Sequence, residues 1–495
     1  MTSTPTGTDP GGSRTSTPTA AGDTRGGIEV NGLNTIDESE RRGTARDLFW
    51  PWFGANVSVF GISYGSFLLG FGVSFAQATV IAVVGVAISF LLCGFVALAG
   101  KRGSAPTMVL SRAAFGVRGN RLPSLLSWVL TVGWETVLTS LAVLSTATVL
   151  DRLGAGGGTG TKVVALVVVA ALVVAAGVAG FSAIMRLQRW ITVITGVLTV
   201  AYVLLVLDDI DLGAVAALPA GSAAAVVGAL VFMMTGFGLG WVNAAADYSR
   251  YLPRSTPGAG VTLWTTLGGS LAPALLVFFG VLLAGSSPAL ADSIGDDPIG
   301  ALTTLLPTWF LIPFALVAVL GLVGGAVLDI YSSGLALLSA GVRIPRPVAA
   351  GVDGVLMVLG SIYVVFSGGS FLYTFQGFLI TLGVPVAAWC GVMLADVALR
   401  RRDYDEPALY DVRGRYGDVR LVPVVLLVVA TVLGWGLVTN TYAGWLGWQG
   451  YLLGPLGGRE GAWAFANLGV LLALVIGFVG TLALTAGAVR RQEDR

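Results

Sequence analysis

The chain has 495 residues, of which 55% are hydrophobic and only 11% charged, with 70 glycines and a net charge of +1. Soluble domains carry roughly 25% charged residues, so an ordinary cytosolic enzyme is excluded, and the near-zero net charge offers no basic surface for nucleic acid. There is no histidine, which removes the commonest metal ligand and the commonest proton carrier near neutral pH and leaves proton chemistry to carboxylates.

Residues 1–40 are rich in Thr, Ser, Gly, Pro and charge. Such a segment buries too little apolar surface to fold, so a disordered cytoplasmic tail is predicted; it lacks the apolar stretch of a signal peptide. Beyond it the chain is read against the length of the hydrocarbon core, which a helix crosses with about 20 apolar residues. Twelve spans are predicted: Leu48–Gly72, Ala76–Gly100, Leu122–Leu150, Val163–Phe181, Leu187–Leu207, Ala223–Ala246, Val261–Leu283, Trp309–Ala340, Val348–Phe366, Phe371–Val397, Leu421–Asn440 and Trp463–Val489. Spans one to five occupy 41–207, spans six to ten 208–402, spans eleven and twelve with their loop 403–489, and 490–495 form a cytoplasmic C-terminus. Cys93 and Cys390 fall inside apolar runs and read as small buried hydrophobes.

Loop charge supports this order. With the N-terminus in the cytoplasm, the internal loops hold Lys101, Arg102, Arg112, Arg118 and Arg121, then Arg186 and Arg189, Arg250 and Arg254, Arg343 and Arg346, and finally Arg400 to Arg402, Arg413, Arg415 and Arg420. The external loops hold only Arg152, Lys162 and Arg459, beside acids such as Asp208, Asp209, Asp296 and Asp297. That asymmetry is the positive-inside pattern and places both termini in the cytoplasm.

Two spans look interrupted. Span one carries Gly54-Ala55-Asn56, then Gly61 and Gly65; span six carries Gly236, Gly238 and Gly240, then Asn243. Small residues also serve close helix packing. These two spans, however, are five apart, where two five-helix repeats would place equivalent elements. Paired broken helices point to a midplane binding site.

Ionisable residues at membrane depth are expensive and usually face a polar pathway. Glu135 lies in the middle of span three, beside Trp134, and Asp329 lies in span eight, after Gly324-Gly325. A tryptophan offers a flat face to a planar ring, and a carboxylate can accept ring N–H groups or carry a proton. Trp241 follows Gly240 near the break of span six, where a second indole could close on the same ring; membrane-interface anchoring is the other reading of a tryptophan there. Asp247, Asp353 and Asp396 sit near span ends, where solvation makes charge cheap, and Asp247 with Arg250 reads as a surface or gate ion pair.

Several longer motifs resemble the nucleobase–cation symporter family 1, in particular its purine–cytosine permease branch. They are Trp52-Phe53-Gly54-Ala55-Asn56, Gly70-Phe71-Gly72-Val73-Ser74-Phe75, Gly103-Ser104-Ala105-Pro106-Thr107-Met108, Gly133-Trp134, Ala245-Ala246-Asp247-Tyr248-Ser249-Arg250-Tyr251-Leu252-Pro253 and Tyr331-Ser332-Ser333-Gly334-Leu335. The resemblance implies an all-α integral membrane protein, a five-plus-five inverted repeat with two C-terminal helices, and alternating access around a site between spans one, three, six and eight. It assigns the ring-stacking roles to Trp134 and Trp241 and places Asp329 where that branch has an asparagine. Sodium-coupled relatives carry two hydroxyl side chains in span eight; by the Tyr-Ser register those positions here are Gly324 and Gly325. The fungal branch has an amide four residues after the span-three tryptophan; that position here is Leu138.

The expected protein is therefore a multi-pass permease of the cytoplasmic membrane, not an enzyme. It imports a planar heterocycle, a nucleobase such as cytosine or a purine, with proton coupling favoured over sodium. Trp134, Glu135, Trp241, Asp329, Gly54, Asn56 and Gly240 form the expected substrate site, and Glu135 and Asp329 carry the coupling. No cofactor and no metal site are expected; the partners are substrate, coupling cation and lipid. A hydantoin, allantoin or a vitamin such as pyridoxine or thiamine is the alternative cargo, and a non-transporting receptor or a channel the alternative class.

Overall fold

The computed structural model describes residues 24–25, 28–29, 32–367, 370–440 and 444–494. Apart from a two-residue antiparallel pairing of Thr24–Arg25 with Ile28–Glu29, the described residues form helices and the loops between them. Among the described residues, ten helices are long and apolar enough to cross a membrane, and two shorter apolar helices, Phe60–Leu69 and Leu421–Trp435, fall at predicted spans one and eleven.

Span one is two helices, Phe49–Asn56 and Phe60–Leu69. Span six is also broken: Ala223–Gly236 stops at Phe237, and the chain resumes as Gly238–Trp241, Val242–Ala244 and Ala245–Ser249. The break of span six packs on the second half of span one, where Tyr64 donates to the Gly236 carbonyl (3.2 Å) and its ring lies 4.5 Å from that of Phe237.

Packing among the remaining spans repeats with a shift of five. Span two (Phe75–Gly103) packs on both span six and span seven (Gly258–Ser286), while span one packs on span seven. Span three (Arg121–Arg152) runs along span eight (Leu311–Ser339). The contacts of span five (Phe181–Leu205) with spans one and eight correspond to those of span ten (Phe371–Leu399) with spans six and three. Adding five to each span number maps this pattern onto itself. Since each repeat holds an odd number of spans, the second is inverted in the bilayer, as the resemblance implied. Spans eleven and twelve (Leu468–Asp494) pack on span ten outside the repeats.

Close helix approach depends on a few glycines. At the crossing of spans one and seven, a methyl on Gly280 would lie 1.8 Å from the Ile62 carbonyl oxygen, and one on Gly65 2.3 Å from the backbone of Gly280. Neither backbone can yield without separating the helices. Gly280→Val is therefore expected to lower the unfolding temperature of the purified protein in detergent by more than the conservative Gly258→Ala, since overpacking a dense core costs about 1–3 kcal/mol or more. Equal melting curves would show that the crossing tolerates side chains.

Two expectations, for Arg186 with Arg189 and for the N-terminal tail, are corrected, and the C-terminal boundary is extended. Arg186 and Arg189, assigned to a loop, lie on exposed positions in the first turns of Phe181–Leu205, because Gly180 at φ 89° turns the chain alone after Thr159–Ala179. The C-terminal tail is still helical to Asp494, where Glu493 accepts from the backbone N–H groups of Arg401 and Arg402 (both 2.8 Å). The predicted N-terminal tail 1–40 falls mostly outside the described residues, but its last part is docked: Ile36 is buried and donates its N–H to the Ser104 carbonyl. The neighbouring Arg41 guanidinium donates to the Leu252 carbonyl (2.8 Å), Ser104 Oγ (2.7 Å) and Glu38 (3.0 Å). Arg254 donates to Glu38 as well (2.6 Å), and that hydrogen bond holds the exposed Glu38 carboxyl below its usual value. Polarity of the segment did not prevent docking, because basic loops supplied its partners.

Candidate functional site

Neighbouring residues on a helix are about 100° apart, so Trp134 and Glu135 look in different directions. The indole of Trp134 points toward spans six and ten. A methyl on Gly240 would fall 3.1 Å from its Nε1, and the rings of Phe375 and Phe378 stand edge-on at 5.5 and 5.9 Å. Trp134 Nε1 has no hydrogen-bond partner among the described residues.

Trp241 follows Gly240 but is half-buried against span one, 5.8 Å from Trp52 at 84°. Trp52 is buried and also packs on Tyr248 (5.2 Å) and Phe90 (6.2 Å). Trp134 thus packs on Gly240 while the Trp241 ring turns to Trp52 of span one, and no ring contact joins the two indoles among the described residues.

Glu135 is 0% exposed, and neither carboxyl oxygen has a hydrogen-bond partner among the described residues. It faces spans eight and nine, within electrostatic range of Asp329 and Asp353 and beside Ser333. Asp329 is 2% exposed, with Oδ2 likewise unpartnered. One turn toward the other end of span eight, Gly325 abuts Leu138 of span three. The two acids therefore share one helix–helix seam. Burying unpaired charge is costly, so such a pair is retained where ionisation is used.

Gly54 and Asn56 end the first half of span one. Asn56 donates to the Trp52 carbonyl (2.7 Å) and so caps the break from within. A methyl on Gly54 would lie 2.5 Å from Thr192 Oγ1 and 2.8 Å from Gln188 Oε1, both buried and unpartnered among the described residues. Gln188 also donates to the Gly324 carbonyl (2.5 Å), bridging span five to span eight beside the break. Sequence reasoning missed this polar pocket, although Gln188, Thr192, Thr195 and Thr199 recur at spacings of four, three and four, one face of a helix, and all are buried.

The seven predicted residues thus form three groups. Trp134, Gly240 and Trp241 border the break of span six; Glu135 and Asp329 lie in the seam of spans three and eight, and Gly54 and Asn56 border the break of span one. A small cavity between spans three, six and ten is lined by Leu130, Thr235, Leu239, Gly240, Leu379, Gly383 and Val386. Of the seven, Gly240 lines it. Asp247 is corrected from surface to interior: it is 3% exposed and accepts from Thr107 N (2.7 Å) and Oγ1 (2.8 Å). Asp396 is enclosed too, in a buried pair with Arg400 (2.6 Å).

Residues 35–454 match the family of permeases for cytosine/purines, uracil, thiamine and allantoin. The chain belongs to this permease family. Among relatives of this family, a putative purine-cytosine permease YxlA of Bacillus subtilis is 23% identical over 448 residues, covering 88% of this chain and 93% of the relative. The purine-cytosine permease FCY2 of Saccharomyces cerevisiae is 24% identical over 505 residues, covering 91% and 87%. Among solved structures, Mhp1, a nucleobase-cation-symport-1 family transporter, in a closed conformation with bromovinylhydantoin bound, aligns with a TM-score of 0.68 at 19% identity, over 94% of this chain and 99% of that one. Its inward-facing conformation aligns with a TM-score of 0.63. The permease thus has the fold of that transporter and is a multi-pass integral membrane protein.

Proposed function

We propose that this permease imports a planar nucleobase, cytosine or a purine, by proton symport and alternating access across the cell membrane, with both termini in the cytoplasm. The observation that carries the reading is the pair of enclosed carboxyls, Glu135 and Asp329, on facing spans next to the indole that borders the broken helix. In this reading Trp134 and Trp241 stack on the ring once the centre opens, and Glu135 accepts ring N–H groups or carries the proton. Asp329 does the same from span eight, while Gly54, Asn56 and Gly240 complete the site with backbone and amide groups. The purine-cytosine permeases among its relatives support a nucleobase as cargo.

The surroundings of Gly324 and Gly325 support protons over sodium. A hard cation wants several oxygen ligands. Neither glycine supplies a side-chain oxygen; the Gly324 carbonyl is taken by the Gln188 amide (2.5 Å), and Leu138 Cδ1 stands 2.8 Å from where a methyl on Gly325 would be. Proteoliposomes loaded at alkaline pH and diluted into acid buffer are expected to accumulate radiolabelled cytosine or hypoxanthine, with no response to a sodium gradient. Strict sodium dependence would refute the proton assignment. Uracil, thiamine, allantoin, pyridoxine and a hydantoin, run as competitors, identify the cargo if neither nucleobase is taken up. Binding without saturable accumulation would instead favour a receptor or a channel.

A further inference from the structure

Asp353 was expected at a solvated span end. It lies instead 0% exposed on span nine (Arg346–Phe366), enclosed by spans three, four and eight. Its Oδ1 accepts from Trp128 Nε1 of span three (2.6 Å) and its Oδ2 from Ser333 Oγ of span eight (2.8 Å). Both donors are neutral. Trp128 lies seven residues before Glu135, two turns along the same face of span three. Ser333 lies four residues after Asp329 on span eight and also stands beside Glu135. Two acids from two spans, Glu135 and Asp353, therefore stand at one hydroxyl, and Asp329 lies one turn away on the hydroxyl's own span. From span four the facing side chain is apolar, Val174 against Gly354. On span nine itself the nearest basic group, Arg346, is bonded to the Gly177 carbonyl (2.9 and 3.0 Å) and lies over the Tyr331 ring.

Position gives the cluster a direction. Asp353 is seven residues from Arg346, about 10 Å at 1.5 Å per residue, while Glu135 is fourteen residues, about 21 Å, from Arg121. Both arginines mark the end of the bundle that carries the basic loops. Asp353 is thus the acid nearer that end, and Glu135 the acid nearer the centre.

We propose that Asp353 receives the coupling proton from Glu135 through Ser333, on its way to the cytoplasm. Protonated Glu135, on turning into hydrogen-bond contact with the neighbouring Ser333, gives its proton to Ser333 Oγ as Ser333 passes its own hydroxyl hydrogen to Asp353 Oδ2. Glu135 is left as carboxylate, Ser333 regains a neutral hydroxyl, and Asp353 becomes the neutral acid. One O–H bond breaks and one forms at each step, and no other reactant enters. Trp128 is a positioning residue that fixes Asp353 through its second oxygen. The inference rests on the proton-coupled reading above.

The test separates coupling from carriage. Wild type, Asp353→Asn and Ser333→Ala are reconstituted, and two quantities are read with radiolabelled cytosine: counterflow without a pH gradient, and the initial rate of uptake driven by one. Asp353→Asn is expected to keep counterflow within about twofold while driven uptake falls about a hundredfold, the low end of what a positioned proton-transfer group contributes. Ser333→Ala should fall in the same readout, and Asp353→Glu should restore part of it. Equal driven uptake in wild type and Asp353→Asn overturns the proposal. So does a parallel loss of counterflow and driven uptake in both variants, which would make the cluster a structural tie between spans. Wild-type uptake driven by sodium alone would bring down the underlying proton reading, and this proposal with it.

Discussion

Glu135→Gln is expected to lose pH-gradient-driven uptake by about a hundredfold or more, the scale set by removing a positioned proton-transfer group. The amide has nearly the same shape but cannot exchange a proton near neutral pH. Its effect on folding should run the other way. Glu135 is wholly enclosed, and both its oxygens lack partners among the described residues. Removing an ionisable group from such a place relieves a desolvation cost, so the melting temperature should stay level or rise. The combination matters, since a transport defect with undiminished stability cannot be put down to misfolding. Glu135→Asp, which keeps the ionisable group one methylene further back, is expected to retain measurable driven uptake. Unchanged kinetics in Glu135→Gln would remove this residue from the mechanism.

Much of the architecture was readable in one dimension, because lipid-length apolar runs and the placement of arginines are both linear signals. Residues 24–25, 28–29 and 32–494, apart from 368–369 and 441–443, supply the described structure, and within them the helices fall in the predicted order. What the sequence did not carry was direction around each helix. Trp134 and Glu135 read as one motif, yet they face different neighbours, Phe375 and Phe378 of span ten for the indole and Ser333 of span eight for the acid. Asp353 looked solvated from its distance to the loop, and only the covering spans reveal that it is enclosed. Span one was read as interrupted at its glycines, whereas the helix runs through Gly54 and breaks after Asn56, where the side-chain amide bonds back to Trp52. Gly54 serves instead as the clearance beneath Gln188 and Thr192. Each miss concerns a partner distant in sequence, which pattern and spacing cannot name.

The second large effect is expected at Trp134. Truncation to alanine would confound two losses, since removing a buried tryptophan costs about 3–5 kcal/mol of stability while aromatic stacking on a base contributes about 1–3 kcal/mol of binding. Trp134→Phe keeps a ring and most of the apolar contact with Phe375 and Phe378. It is expected to weaken cytosine binding roughly tenfold, from loss of stacking area worth about 1.4 kcal/mol, with a smaller change in melting temperature. Gly240→Ala approaches the same indole from outside. The added methyl would stand 3.1 Å from Trp134 Nε1 and 3.2 Å from the Thr235 carbonyl oxygen, so one of them must shift by a few tenths of an ångström. The helix backbone offers little slack there, so the indole is the group that tilts, away from the plane a substrate ring would meet. Gly240→Ala should then raise the dissociation constant for cytosine, measured by isothermal calorimetry or scintillation proximity, while the folded state survives by size-exclusion chromatography. If Trp134→Phe and Gly240→Ala both bind cytosine as wild type does, the indole is a packing residue and the ring must be held elsewhere in the bundle.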